Sequence, residues 1–99
     1  LKLLNWQQAF NIAKDTLNPA DASAIKVYSS EFYVEASRLL MEVHGAAGCL
    51  HRDSKGTVIR GRLEKFYRMT LVLTFGGGTN EIQRDIICQA GLRMPRLGR

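Results

Sequence analysis

The longest continuous helical pattern in this chain is residues 19–44, which read PADASAIKVYSSEFYVEASRLLMEVH. One apolar stripe at helical spacing consists of Ile25, Tyr28, Phe32, Ala36, Leu39 and Val43. A second stripe, on another side of the helix, consists of Val27, Val34 and Met41. A helix that is apolar on two sides packs against neighbours on both. We therefore expect this helix to be the centre of a bundle or to lie at a subunit interface.

Turn residues mark both ends of this helix and separate it from three shorter ones. Asn18 suits an N-cap and Pro19 the first helical position, while Gly45 is typical of the residue that follows a helix. The other predicted helices cover about residues 1–17, 62–74 and 79–91, and residues 95–99 form an extended tail. No segment alternates with a period of two for long enough to predict a strand. The sequence therefore predicts an all-α fold, an antiparallel helical bundle.

Length and composition exclude several classes of protein. With 99 residues, 45% of them hydrophobic, the chain holds one small domain and is not disordered. No apolar run approaches the ~18 residues that span a bilayer, so we predict no membrane segment. Cys49 and Cys88 are too few for a disulfide framework, and we expect buried or half-buried thiols in a reducing, cytoplasmic compartment. His44, Cys49 and His51 match no zinc spacing, so we predict no metal site.

Charge is unevenly distributed between the two halves of the chain. Residues 1–50 carry a net charge of −1, and residues 51–99 carry +6. Such a basic half suggests an anionic partner, which could be nucleic acid, a phosphate-bearing cofactor or an acidic subunit surface. The basic side chains are scattered over a loop and a tail instead of lying between aromatics on one helix face. We therefore expect a solvated basic surface and no nucleic-acid binding.

A run of glycines directly precedes the last predicted helix, in the segment Gly76-Gly77-Gly78-Thr79. Glycines let a ligand approach the backbone, and the N terminus of the following helix attracts an anion. The segment is neither a Walker loop nor a dinucleotide fingerprint, because no Gly-Lys-Ser/Thr follows it and no strand precedes it. The residues alone leave two alternatives open, an anion site or a tight corner between packed helices.

Three stretches resemble the acyl-CoA dehydrogenase family. Residues 77–87, GGTNEIQRDII, followed by GLRMPR at 91–96, resemble its C-terminal signature. Residues 23–31, SAIKVYSSE, are similar to its long bundle helix, and residues 41–48, MEVHGAAG, resemble its Gln-x-x-Gly-Gly-x-Gly helix end. The resemblance implies that residues 1–99 are a fragment of the family's C-terminal helical-bundle domain, without the first helix of that bundle.

The resemblance also implies a reaction. Family members oxidise the Cα–Cβ bond of an acyl-CoA thioester to a trans-2-enoyl-CoA, with a carboxylate as base and FAD as the hydride acceptor. An electron-transferring flavoprotein or similar acceptor reoxidises the flavin. The family forms homo- or hetero-oligomers in which FAD is shared across a subunit interface. On its own, a fragment of this length is expected to be inactive.

Site residues follow from the match of motifs. Gly78 falls on a substrate-contacting position. The positions that match FAD contacts in the family are Thr79, Asn80 and Glu81 in the glycine segment, and Glu42, Val43, His44, Gly45 and Ala46 at the helix end. The second group matches the segment that meets the adenosine pyrophosphate.

Three residues depart from the family pattern. Gly77 stands where many members have the catalytic Glu, so this segment carries no catalytic residue at that place. Glu42 replaces the usual Gln, and its charge opposes a pyrophosphate unless a cation compensates it. Ala46 replaces a common second glycine. Mixed bacterial assemblies that act on steroid or other bulky acyl-CoA chains show a similar glycine loop.

The departure at Gly77 leaves two interpretations. Either the base lies elsewhere in a longer chain or partner, or the chain is a non-catalytic assembly subunit of a heteromeric dehydrogenase. Other carboxylates are poor candidates for the base. We expect Glu35 and Glu64 to be solvated or ion-paired, and the helix N terminus to lower the pKa of Glu81.

Overall fold

Helix α2 covers Pro19–His44, the range predicted from its end signals. The computed structural model describes residues 1–96 of the chain. The other α-helices are α1 at Lys2–Ala13, α3 at Arg62–Leu71 and α4 at Asn80–Ile86. No strand occurs within residues 1–96, so the predicted all-α fold class is confirmed. None of the helices in this part of the chain has the length and the apolar composition that crossing a bilayer requires.

Short turns of tighter or wider helix explain the differences between predicted and observed helix ends. Turns of 3₁₀ helix lie at Gly45–Cys49, Val58–Gly61 and Val72–Thr74, and a π-helical turn lies at Ile87–Gly91. The segments predicted as helices at 62–74 and 79–91 are therefore helical, but only their first parts are α-helix. The predicted tail at 95–99 falls outside the described residues from residue 97 onward.

The prediction that the first helix reaches residue 17 is wrong. Asp15 adopts a left-handed conformation with φ of 55°, which ends α1. Its N–H donates to the carbonyl of Ile12 at 3.1 Å, and the N–H of Thr16 donates to that of Asn11 at 2.9 Å. These two bonds are the Schellman arrangement, and they satisfy carbonyls that a longer helix would have paired.

Three predicted helix-end residues are confirmed. Asn18 caps α2, because its Oδ1 accepts from the backbone N–H of Ala20 at 2.9 Å. Gly45 follows α2 with a left-handed φ of 59°. Thr79 caps α4, because its Oγ1 accepts from the N–H of Ile82 at 3.3 Å. Gly45 and Thr79 lie in the two segments that resemble family motifs, residues 41–48 and 77–87.

Small residues form the buried side of α2. The buried positions are Ala20, Ser23, Ser30 and Ser37, and the half-buried Val27, Val34 and Met41 alternate with them. Polar members of this seam are satisfied locally, as where the Ser37 hydroxyl donates to the carbonyl of Tyr33 at 2.6 Å. The second predicted stripe therefore faces inward and packs through small side chains.

The other predicted stripe of α2 is largely exposed. Tyr28 is 50% exposed, Phe32 47% and Val43 82%. Within this chain α2 is packed on the side of its second stripe, and the cover expected for the first stripe, at a subunit interface, stays a prediction. The apolar side chains of α1 are exposed too, with Leu3 at 83% and Trp6 at 78%. Exposed apolar surface of this extent is typical of regions that interact with another molecule.

The described residues form two compact units, and α2 contributes to both. One unit contains Leu1–Ser29 together with the chain from Gly77 onward, and the other contains Ser30–Gly76. The glycines Gly77 and Gly78 belong to the first unit. The end of α2, from Glu42, belongs to the second. Each unit therefore carries one of the two groups of predicted site residues.

Candidate functional site

The glycine segment has a backbone that only glycine adopts readily. Gly77 has φ of 73° and Gly78 has φ of 101°. A Cβ added to Gly77 would meet no atom within 4 Å, whereas one on Gly78 would lie 3.0 Å from the Nε2 of Gln83. Gln83 also donates from Nε2 to the carbonyl of Gly77 at 3.0 Å. The hydrogen bond from Gln83 thus holds the backbone at Gly77, and a ligand could approach that backbone closely.

Lys26 of α2 ties the glycine segment to the helix. Its Nζ donates to the carbonyl of Gly78 at 2.7 Å and to the Oδ1 of Asn80 at 2.6 Å. Asn80 is only 5% exposed, so the lysine satisfies a side-chain oxygen that is nearly cut off from water. Sequence reasoning missed Lys26, because it lies more than 50 residues before its partners and follows no local pattern.

Glu81 is a weak candidate for a catalytic base. Its carboxylate accepts from its own backbone N–H and from the hydroxyl of Thr79, and these bonds hold the pKa of Glu81 below its ordinary range. Arg84 and Lys26 lower it further through their charges. The predicted direction of the pKa shift is confirmed, and the backbone N–H of Glu81, in the first turn of α4, is its main source.

Arg38 is shared between Glu42, at the end of α2, and Glu35. The Nη2 of Arg38 lies 2.6 Å from the Oε1 of Glu35, and its Nη1 forms an ion pair with Glu42. The two carboxylates raise the pKa of Arg38, and Arg38 in turn lowers the pKa of Glu35 through a hydrogen bond. The three side chains together keep a net charge of −1, so Arg38 offsets the charge of Glu42 only in part. Sequence reasoning missed their pairing, although the spacing of four residues between Arg38 and Glu42 is that of a helical ion pair.

An open cavity of about 300 Å³ lies beside this ion pair. Three of the predicted cofactor-binding residues line it, namely Glu42, Gly45 and Ala46. The remaining lining residues are Arg38, Met41, Cys49 and Tyr67. A Cβ on Gly45 would meet no atom within 4 Å, so a ligand can reach this backbone. Val43 and His44 do not line the cavity, and their predicted cofactor contacts stay predictions.

The other predicted ion pairs are present. Glu35 pairs with Arg38, and the Oε1 of Glu64 lies 2.5 Å from the Nε of Arg68. The Glu64 side chain is 15% exposed, so it lies deeper than the surface position expected for it. Both carboxylates are therefore engaged by arginine, as the sequence predicted.

The cysteines are unpaired thiols with different exposure. Cys88 is half-buried as predicted, but Cys49 is exposed, because it lies at the end of the 3₁₀ turn beside the open cavity. Within residues 1–96, no three side chains of His, Cys, Asp or Glu lie together in a way that could hold a metal ion.

Comparison with known proteins places this geometry in a family. The family description "Acyl-CoA dehydrogenase, C-terminal domain" matches residues 1–92. Acyl-CoA dehydrogenase FadE26 of Mycobacterium tuberculosis is 53% identical over 102 residues, covering 100% of this chain and 26% of the relative. Acyl-CoA dehydrogenase FadE29 of the same organism is 40% identical over 98 residues, covering 99% of this chain and 24% of the relative. The chain thus spans about a quarter of the length of the relatives it matches.

Solved structures share the arrangement of the helices. The ChsE4–ChsE5 complex from Mycobacterium tuberculosis matches with a TM-score of 0.87 and 52% identity, over 97% of this chain and 25% of that one. The Tcur3481-Tcur3483 steroid ACAD matches with a TM-score of 0.90 and 42% identity, over 97% of this chain and 25% of that one. The family match and these similarities confirm the resemblance carried by the glycine segment and the end of α2. The chain belongs to the acyl-CoA dehydrogenase family and corresponds to its C-terminal domain.

Proposed function

We propose that residues 1–99 are the C-terminal helical-bundle part of a subunit in a heteromeric acyl-CoA dehydrogenase. The assembly oxidises an acyl-CoA thioester to the trans-2-enoyl-CoA with FAD, and passes electrons to an electron-transferring flavoprotein or a similar acceptor. The observation that carries this proposal is Gly77. In the family signature it occupies the position of the usual catalytic Glu. A Cβ added to Gly77 would meet no atom of the described residues within 4 Å, so its backbone is accessible.

The described residues fit a flavin nucleotide. At the end of α2, Arg38 pairs with Glu42 and Glu35 beside an open cavity, and Gly45 leaves its backbone accessible there. We propose that this segment holds the adenosine pyrophosphate, because a guanidinium and an open backbone both suit phosphate oxygens. When bound, FAD supplies the two-electron acceptor for oxidation of the Cα–Cβ bond.

The glycine segment is the proposed second contact. Thr79, Asn80 and Glu81 are proposed to meet the flavin, and Gly78 the acyl-CoA. Lys26 fixes the carbonyl of Gly78 and the side chain of Asn80, so these groups are oriented before any ligand binds. No step of the proposed reaction uses Glu81 as a base, because its lowered pKa weakens it as a proton acceptor.

A base must then come from outside this segment, either from the rest of a longer chain or from a partner subunit. Exposed apolar side chains on α1 and α2, including Trp6 and Phe32, support a partner or further domain that covers them. Each of the structurally similar complexes is named after two different proteins, which supports a heteromeric assembly. The steroid ACAD among them supports a bulky acyl chain as the substrate.

Reconstitution tests this proposal. The full-length chain, its candidate partner and the mixture of the two are assayed for bound flavin by absorbance and for enoyl-CoA formation with an artificial electron acceptor. We expect stoichiometric flavin and turnover in the mixture only. A mixture without bound flavin and without enoyl-CoA product would contradict the proposal.

The second candidate function is a non-catalytic assembly subunit, and Gly77 favours it too. In that case the partner alone binds its full complement of flavin and turns over, and the chain only raises the stability of the oligomer. The same three samples therefore distinguish the two functions.

A further inference from the structure

A second cavity, of about 270 Å³, lies in the unit formed by Ser30–Gly76. Its cationic lining residues are Arg52, Arg60, Arg62 and Lys65. It shares no lining residue with the cavity beside Arg38. All four residues are exposed, which confirms the predicted solvated basic surface, and all four border one cleft.

Positive charge in this cleft is mostly uncompensated. Glu64 is its single carboxylate, and it pairs with Arg68 at 2.5 Å. Arg52 lies 3.7 Å from Asp53, which also approaches His51 at 3.4 Å. Within residues 1–96, Arg60, Arg62 and Lys65 form no ion pair of their own. Four cations around one carboxylate repel each other, and an anion in the cleft would relieve that repulsion.

The backbone beside the cleft brings the loop against the start of α3. Ile59, Arg60 and Gly61 are three successive left-handed residues, with φ of 52°, 54° and 64°. A Cβ on Gly61 would overlap the backbone of Arg52, so the loop and the start of α3 meet in close contact there. No side chain caps the N terminus of α3, and the positive end of the helix dipole adds to the field of the side chains.

We infer that this cleft binds a small phosphate-bearing anion. The planar guanidinium of arginine matches the geometry of phosphate oxygens. A phosphoryl group also carries more than one negative charge, which compensates the excess positive charge of the cleft. The volume, on the order of nine waters, admits a mono- or diphosphate but not a folded partner. The ligand is either a free phosphate or the phosphates of a nucleotide. This inference does not depend on the proposed dehydrogenase function.

Calorimetric titration of the native full-length protein with inorganic pyrophosphate tests it. The variant is Arg60→Gln with Arg62→Gln, and the matched control is Lys2→Gln with Lys14→Gln, which removes the same charge from the two ends of α1. We expect pyrophosphate affinity to fall at least about tenfold in the arginine variant and less than about twofold in the control. Equal affinity in all three proteins, or an equal fall in both variants, would overturn the inference.

A second variant covers the case in which the double arginine variant does not fold. Lys65→Gln changes one exposed residue of α3, and we expect it to weaken pyrophosphate binding by about threefold or more. An unchanged affinity in Lys65→Gln would then overturn the site. Tighter binding of an acidic peptide than of pyrophosphate would overturn it in favour of a protein partner.

A titration with ADP identifies the source of the phosphate. The difference between wild type and the arginine variant isolates this cleft from any other nucleotide site. ADP that binds the cleft about tenfold more tightly than pyrophosphate supports a nucleotide ligand. Equal affinities support free phosphate or diphosphate.

Discussion

The glycine segment and the end of α2 present the same feature to a ligand but are stabilised in different ways. Each has a left-handed glycine, Gly77 or Gly45, whose backbone meets no atom within 4 Å of an added Cβ. The glycine segment is held by Lys26, from a helix more than 50 residues earlier. The end of α2 is held by its own helix, where Arg38 pairs with Glu42 one turn later.

This difference predicts different sensitivities to substitution. A bond from a lysine to a nearly buried asparagine contributes to stability, because breaking it leaves a polar group without water. An ion pair between exposed side chains on one helix contributes little to stability and acts mainly on the charge that a ligand meets. Loss of the Lys26 contacts is therefore expected to destabilise the glycine segment. Loss of the Arg38–Glu42 ion pair is expected to change the affinity for a ligand.

Lys26→Met is expected to have the largest effect. It removes the bonds from Nζ to the carbonyl of Gly78 and to the Oδ1 of the nearly buried Asn80, which we expect to cost about 3 kcal/mol. Urea unfolding with hydrogen exchange of residues 77–86 measures the loss. The control is Lys14→Met, which removes an exposed lysine 4.3 Å from the Phe10 ring and should cost less than about 1 kcal/mol. Equal losses in the two variants would refute the assigned role of Lys26.

Gly77→Ala and Gly45→Ala are expected to have similar, intermediate effects. Each places a Cβ in the left-handed region without a steric contact, at a cost of about 1 to 2 kcal/mol. Thermal unfolding of the full-length protein measures this cost. Gly78→Ala is the comparison and should cost more, because its φ is 101° and its Cβ meets Gln83.

The same two variants report on the proposed ligand. Since no protein atom lies near either added methyl group, a loss of flavin content beyond the loss of stability indicates that a bound group approaches that backbone. Full flavin content in both variants would argue against the proposed contacts.

Glu42→Gln is expected to have a smaller effect, on flavin binding and not on stability. Removing one negative charge from the cavity should lower the flavin dissociation constant about twofold to fivefold. The matched control is Glu35→Gln, which removes the other carboxylate bound to Arg38 but does not line the cavity. Weaker flavin binding in Glu42→Gln, or the same gain in Glu35→Gln, would contradict this prediction.

The smallest expected effect is the pH dependence contributed by Glu81. Because its folded pKa is lowered, its stabilising contribution is complete above about pH 5 and is lost as pH falls below about 4.3, through the folded pKa. The stability difference between wild type and Glu81→Gln, measured from pH 7 to pH 3, should therefore shrink toward acid pH. A difference that grows toward acid pH would reverse the assigned sign.

Local signals predicted the ends of α2 correctly, since Asn18 and Gly45 act through bonds and dihedral angles within a few residues. The end of α1 was not predictable in the same way. Asp15 adopts the left-handed conformation that glycine usually adopts at a helix end, and an aspartate in the sequence does not by itself predict that conformation. The ion pair of Arg38 with Glu42 is predictable from their spacing of four residues on one helix.

Burial was the least predictable property. Both stripes of α2 are apolar, but the buried side runs through Ser23, Ser30 and Ser37, whose small side chains allow close packing. The larger Tyr28 and Phe32 stay exposed in this chain. Periodicity shows that a face is apolar, and neighbouring elements decide which apolar face is covered.

By itself, the sequence determined the all-α class, the caps of α2 and α4, and the family signature that ends in the glycine segment. These depend on residue types a few positions apart, so they can be read along the chain. Only the tertiary structure decided that Lys26 holds Gly78 and that Arg60 and Arg62 share a cleft with Arg52. Such contacts join residues brought together by folding, and their energy depends on burial and distance, which no local pattern contains.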